Sequence, residues 1–185
     1  ATRNATRSAP FRAAAMDRWA YPLPVIDPMV ERRSAQFVEH YGDGVAYAHY
    51  GTARSPLQVG GLMAGAAGAF ALAQLGPTRH WLMSLNPQGT GPDAETRANA
   101  FFRLTFVARR TGVDGTLHTV RTKVEGGDPG YTETSKMLGE AALALALDRD
   151  ALPATAGLLT PASALGTPYR ERLQAVGLRF ERLDE

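Results

Sequence analysis

Hydrophobic and polar residues alternate most clearly between Phe101 and Thr111, where Phe102, Leu104, Phe106 and Ala108 share one face. Period-two alternation is the mark of a half-buried strand. Gly112-Val113-Asp114-Gly115-Thr116 supplies turn chemistry, and Leu117 to Val124 reads as the returning strand of a hairpin. Past Gly126-Gly127-Asp128-Pro129-Gly130, the spacing changes to a helical one and predicts a long helix from about Thr132 to Leu147. Upstream, Asp27-Pro28 predicts a helix start with Asp27 as cap, running to about Tyr41 and ending near Gly42, with Val30, Phe37, Val38 and Tyr41 buried. Val45 to Tyr50 reads as a strand, Thr78 to Leu85 as a helix, and Asn86 to Pro92 as a breaker cluster. Asp93 caps a short helix through Ala100, while Pro168 to Val176 and Leu178 to Leu183 give a last helix and strand. Helices alternate with a few strands and no βαβ unit repeats. The expected class is therefore α+β, with helices packed on a small mixed or antiparallel sheet that contains a β-hairpin.

Val59 to Ala73, VGGLMAGAAGAFALA, has no periodicity of charge because it carries no charge at all. Alanine and glycine dominate it, and small residues permit close approach of a neighbouring helix. We expect it to be buried against another element or in a subunit interface rather than to span a membrane, and it motivates the expectation of a homodimer.

Composition narrows the function classes. The 185 residues include 44% hydrophobic and 21% charged ones, a usage that builds a globular core. Cysteine is absent, which excludes disulfides, thiolate metal sites and a cysteine nucleophile. No secretory core follows Ala1, so a cytoplasmic location is expected, and the missing initiator methionine points to a piece of a longer protein. The net charge is +2, with Arg3, Arg7 and Arg12 in an N-terminal stretch that reads as a linker or arm over residues 1–17. A nucleic-acid arm is the alternative there, but a terminal linker suits the sequence better, and no nucleic-acid partner is expected. The remaining residues, 18–185, read as one domain.

Catalytic signatures are sparse. No G-x-G-x-x-G lies between a strand and a helix, no G-x-S-x-G elbow occurs, and no H-E-x-x-H occurs. His40, His49, His80 and His118 are scattered without ligand spacing, so no metal is expected. His49 stands between Tyr47 and Tyr50 on a predicted strand; a hydrogen-bonded structural role and an acid–base role both remain open. The densest chemistry lies in GGDPGYTETSKML, Gly126 to Leu138. A glycine turn entering a helix presents free amides and a positive dipole end that suit a carboxylate or phosphate. Asp128, Gly130, Tyr131, Thr134 and Lys136 are the candidate substrate contacts, with His49 beside them as a sixth. The competing reading is a plain strand–turn–helix corner capped by Thr132 with Lys136 in solvent.

DPGYTETSKMLGEAALALALD resembles the signature of the saccharopine dehydrogenase-like oxidoreductases, a group that includes trans-acting enoyl reductases. RWAYPLPVIDPMVERRSA, AYAHYGTARS and GLLTPASALGTPYRERLQAVGLRFERL are similar to the same family, in the same order. The resemblance implies an oxidoreductase part on the substrate side of the cleft, supplying substrate contacts and the subunit interface. It further implies a Rossmann domain missing from this chain, which would hold NAD(P); no cofactor is expected on the chain itself. Catalytic residues are not assigned by it, and a non-enzymatic dimerisation or interaction module of the same fold is the alternative.

Overall fold

The computed structural model describes residues 3–4, 7–38, 41, 44–85, 87 and 89–183, with side chains from residue 7 onward. His40, the expected helix end at Gly42, and two positions of the Asn86–Pro92 cluster lie outside these. The architecture is α+β, as the element pattern predicts. The chain forms two compact units, Ala1–Gly91 and Pro92–Glu185, where the sequence led us to expect one domain from residue 18 onward.

In the first unit, β1 (Arg3–Asn4) pairs in parallel with β4 (Ala46–Tyr47), and β2 (Phe11–Ala13), β3 (Arg18–Pro22) and β5 (Tyr50–Ala53) form an antiparallel sheet in the order β2-β3-β5. The stretch expected to be a linker thus contributes strands. Phe11 pairs with Ala20 across the ladder, and its ring meets Tyr50 edge-on at 5.0 Å. The Arg7 guanidinium stacks over Phe11 at 4.7 Å, and Arg12 pairs with Asp17, so these two arginines are engaged within the unit. Such an ordered segment follows from apolar area: Phe11 and Ala20 give the arm something to bury.

Helix α1 (Asp27–Ser34) is shorter than expected. Asp27 is its first helical residue rather than its cap, and the buried positions are Pro28 and Ser34, while Val30 and Phe37 are each 38% exposed. Helix α2 (Pro56–Ala73) begins at Ser55, whose side chain accepts from the Gln58 amide, and α3 (Gly76–Leu85) follows directly. Burial of α2 against another element of the chain, one of the two expected arrangements, is not found: Val59 alone of its described residues is buried, and every residue from Gly60 to Leu72 is exposed.

In the second unit, α4 (Ala94–Asn99) is capped by Asp93 as expected. β6 (Phe102–Thr111) and β7 (Leu117–Gly126) form the hairpin, and β8 (Arg179–Arg182) adds to β7 to give the antiparallel order β6-β7-β8. The turn works through Asp114, whose carboxylate accepts from the Thr116 amide, and through Gly115 at φ 80°, a conformation that glycine adopts without steric cost. Helix α5 (Thr132–Leu147) lies against α6 (Pro161–Ala175). The last helix starts earlier than the sequence suggested. Thr160 and Ser163 form a reciprocal capping box ahead of Pro161, and the chain kinks at Gly166 before Pro168 resumes the helix. Ala144, Leu165, Leu173 and Leu178 are the buried apolar residues here, and Arg172 ties α6 to Glu140 at 3.0 Å and to Asp148 at 2.5 Å.

Candidate functional site

The sheet register places a row of charges beside the glycine turn. Arg103 of β6, Glu125 of β7 and Arg179 of β8 are directly opposite one another, and Lys123 lies two residues before Glu125 opposite Glu181. Glu125 is 5% exposed, pairs with Arg103, and accepts from Lys123 at 2.9 Å and Arg179 at 3.5 Å. A buried carboxylate is tolerable when its charge is matched in this way. Hydrogen bonds from Lys123 and then Arg103 hold its carboxyl down at about 2. The partners come from three strands, so sequence reading missed them; the strand registers would have been needed to find them.

Where β7 ends, Gly126 and Gly127 let the chain pass close to its neighbours. A Cβ on Gly126 would fall 2.6 Å from the Phe102 ring, and one on Gly127 would fall 3.1 Å from Glu133 Oε1. Asp128 follows, 6% exposed, with its carboxylate turned into the start of α5. It accepts from the amides of Gly130 at 3.2 Å, Tyr131 at 3.0 Å and Thr132 at 2.8 Å. These bonds, that from Thr132 foremost, hold its carboxyl below the ordinary aspartate range. Thr132 is the first helical residue and Tyr131 the N-cap, which makes no side-chain bond; the capping carboxylate comes from Asp128 upstream. The amides expected to receive an external carboxylate or phosphate are filled by the protein's own carboxylate.

Lys136 likewise differs from expectation. Its ammonium donates to Glu133 Oε1 at 2.9 Å rather than standing free for an anion. Thr134 donates its hydroxyl to the Pro129 carbonyl at 2.6 Å and closes the turn. Of the candidate residues, Asp128, Gly130, Tyr131, Thr134 and Lys136 are brought together at this corner. Tyr131 is 55% exposed. Glu133, unflagged by the sequence, lies at its centre: it is 5% exposed, accepts from the Gly127 amide at 3.3 Å and from Lys136, and its Oε2 has no donor among the described residues. A glutamate in a first helical turn reads as dipole complement, which is why its burial was not visible in the sequence.

His49 belongs to the first unit. Its Nδ1 lies 3.5 Å from Asp27 Oδ1 and 3.4 Å from the Tyr47 hydroxyl. Tyr41 donates to Glu31 at 2.9 Å nearby in the same unit. Burial first, then the carboxylates of Asp27 and Glu31, pushes the Tyr47 phenol up to about 12, and burial with Glu31 does the same for Tyr41. Both phenols are hydrogen-bond donors at neutral pH. The i, i+2 spacing of Tyr47 and His49 was the signal for this cluster, whereas Asp27 was hidden by its resemblance to a helix cap. Among the described residues no three of His, Asp and Glu converge as a metal set.

The corner also departs from a dinucleotide loop. β7 enters it from an antiparallel sheet, whereas a nucleotide-binding turn opens from a parallel βαβ unit with its amides free for pyrophosphate.

The geometry thus defines an α+β unit with a saturated strand–turn–helix corner and one buried carboxylate in reserve. Over 94 residues, half of its length, the chain is 44% identical to a Mycobacterium tuberculosis protein whose name proposes a trans-acting enoyl reductase. It is 40% identical over 91 residues to a trans-acting enoyl reductase of Mycobacterium ulcerans and 36% identical over 90 residues to one of Mycobacterium bovis. These matches cover 22%, 21% and 21% of the relatives, so the matched part is about a fifth of their length. No family model matches the chain, and no solved structure does.

Proposed function

We propose that this chain is the substrate-side part of an NAD(P)-dependent oxidoreductase of the trans-acting enoyl reductase type, within the wider saccharopine dehydrogenase-like group. The observation that carries the reading is the identity of 36–44% to proteins bearing that name, over half of the chain. Their name defines the substrate class: an enoyl group, reduced at its carbon–carbon double bond. The corner does not fit a nicotinamide dinucleotide, because Asp128 occupies the amides that a pyrophosphate needs. We therefore assign the cofactor to a Rossmann domain outside this chain. The contribution of the chain is a substrate wall at the corner, where Tyr131 offers a hydroxyl from an exposed ring and the buried Glu133 holds the turn behind it.

A second reading is favoured by the saturation of that corner. Asp128 caps α5 and Lys136 is paired with Glu133, which is the bonding of a rigid structural joint. In that reading the fold is a dimerisation or interaction module without chemistry. Kinetics of the full-length gene product with NADPH, NADH and an enoyl thioester separate the two. The oxidoreductase reading expects nicotinamide oxidation that requires the enoyl thioester, and a loss in kcat/KM of about tenfold or more in Tyr131→Phe or Lys136→Met, as for one hydrogen bond to a charged group. Wild-type kinetics in both variants sink the corner as substrate wall, and failure to bind either nicotinamide sinks the oxidoreductase reading.

A further inference from the structure

The least explained surface is α2. From Ser55 to Thr78 no residue is charged, and Arg54 and Arg79 stand at the two ends. Leu57 is 84% exposed and Phe70 69%, with Leu62, Met63 and Leu72 exposed as well. At 100° per residue, Leu57, Leu72, Leu62, Phe70 and Met63 fall at about 0, 60, 140, 220 and 240° around the axis. Apolar side chains therefore surround most of the helix instead of forming one stripe. A stripe fits a second protein surface, whereas a helix apolar all round belongs in a medium that covers every side. The 18 residues of α2 have a mean hydropathy of 1.4. At 1.5 Å per residue the stretch 60–73, beyond the buried Val59, extends about 21 Å, enough to enter deep into the roughly 30 Å of bilayer hydrocarbon.

The end of α2 satisfies several of its last carbonyls from within the chain. Gln74 donates its amide to the Phe70 carbonyl at 3.3 Å, the Gln74 backbone reaches Ala71, and the Thr78 hydroxyl bonds the carbonyls of Leu72 and Leu75. The last carbonyls of a helix otherwise rely on water, and a chain turning in or beside lipid must satisfy them itself. Helix α3 then brings Arg79, His80 and Trp81 in succession, with Trp81 56% exposed beside exposed Leu75, Met83 and Leu85. Basic and tryptophan side chains are the residues that settle at a bilayer boundary.

We propose that α2 inserts into a lipid bilayer, with the start of α3 at its boundary, so that the protein works at a membrane surface. The inference stands apart from the enzymatic reading, since it uses none of the corner residues. The test is flotation of the full-length gene product with vesicles of phosphatidylcholine and phosphatidylglycerol, comparing wild type with Leu62→Arg/Phe70→Arg. Both positions are exposed, so the substitutions remove no buried packing. Wild type should float and resist release by high salt, and the variant should partition at least about a hundredfold less, given the cost of arginine in the helix centre. In residues 1–185 carrying Trp19→Phe, where Trp81 is the one tryptophan left, lipids brominated on their chains should quench its fluorescence. That readout does not depend on the folding of the arginine variant. Wild type remaining in the aqueous fraction overturns the proposal, as does equal flotation of the variant. Absence of flotation together with a dimer that the arginine variant dissociates would assign the face to a second copy instead.

Discussion

Glu133 allows the reading of the corner to be tested by two substitutions that should differ in effect. Truncation by Glu133→Ala removes the acceptor for the Gly127 amide and for Lys136, whose side chain is 36% exposed. Lys136 can turn to water, so its loss is worth at most about 1 kcal/mol. The stranded amide and the emptied space add about 1–3 kcal/mol, which puts the total near 2 kcal/mol. Glu133→Gln keeps the volume and an oxygen for Gly127. Its amide nitrogen can take the place of Oε2, which has no donor among the described residues, and the buried formal charge is gone. Loss of the attraction to the partly exposed Lys136 is offset by removal of the desolvation cost of the buried charge, so the change is close to neutral. Hydrogen exchange read by mass spectrometry over residues 126–140 measures this locally. The alanine variant should lose protection in α5 by about 30-fold, the equivalent of 2 kcal/mol, and the glutamine variant should stay close to wild type. Equal loss in both variants would show that the charge itself holds the corner, and the account of Oε2 would be wrong.

Other outcomes follow from the same packing. Leu165→Ala, at a position 3% exposed, should cost about 2–5 kcal/mol in urea unfolding, and a loss below 1 kcal/mol would remove Leu165 from the core of the second unit. Gly166 sits at φ 55°, so Gly166→Ala should destabilise by about 1–2 kcal/mol, whereas Gly139→Ala, in the middle of α5 with open space around it, should be neutral or stabilising. Acid should loosen the second unit through Asp128 and Glu125. Their folded carboxyls lie below the unfolded values, so their contribution is complete above about pH 4.5 and is lost as pH falls toward the folded values, about 2 for Glu125. Asp128→Asn should flatten that acid limb in a circular-dichroism titration, and an unchanged limb would contradict the capping role.

The hairpin and α5 were legible in the sequence because their signals are local: alternation, an Asp-Gly turn, and a helical spacing unbroken from Thr132 to Leu147. What escaped depends on the chain folding back. Asp-Pro-Gly-Tyr-Thr reads as an open anion seat until Asp128 is seen to turn onto its own helix. Arg103, Glu125 and Arg179 are far apart in sequence and become one row through strand register. The arm over residues 1–17 lacks long-range sequence signals, yet Phe11 finds Ala20 and Tyr50. For α2 the charge-free run was plain but its surroundings were not, since a buried core helix and an exposed apolar helix share the same composition.

The central claim is that this chain serves a nicotinamide-dependent reduction without holding the nicotinamide. Calorimetric titration of NADPH and NADH into this chain and into the full-length gene product tests it most directly. Micromolar binding is expected of the full-length product and none of residues 1–185 alone. Micromolar binding by the chain itself would contradict the assignment of the cofactor to a separate domain, and binding by neither would contradict the oxidoreductase.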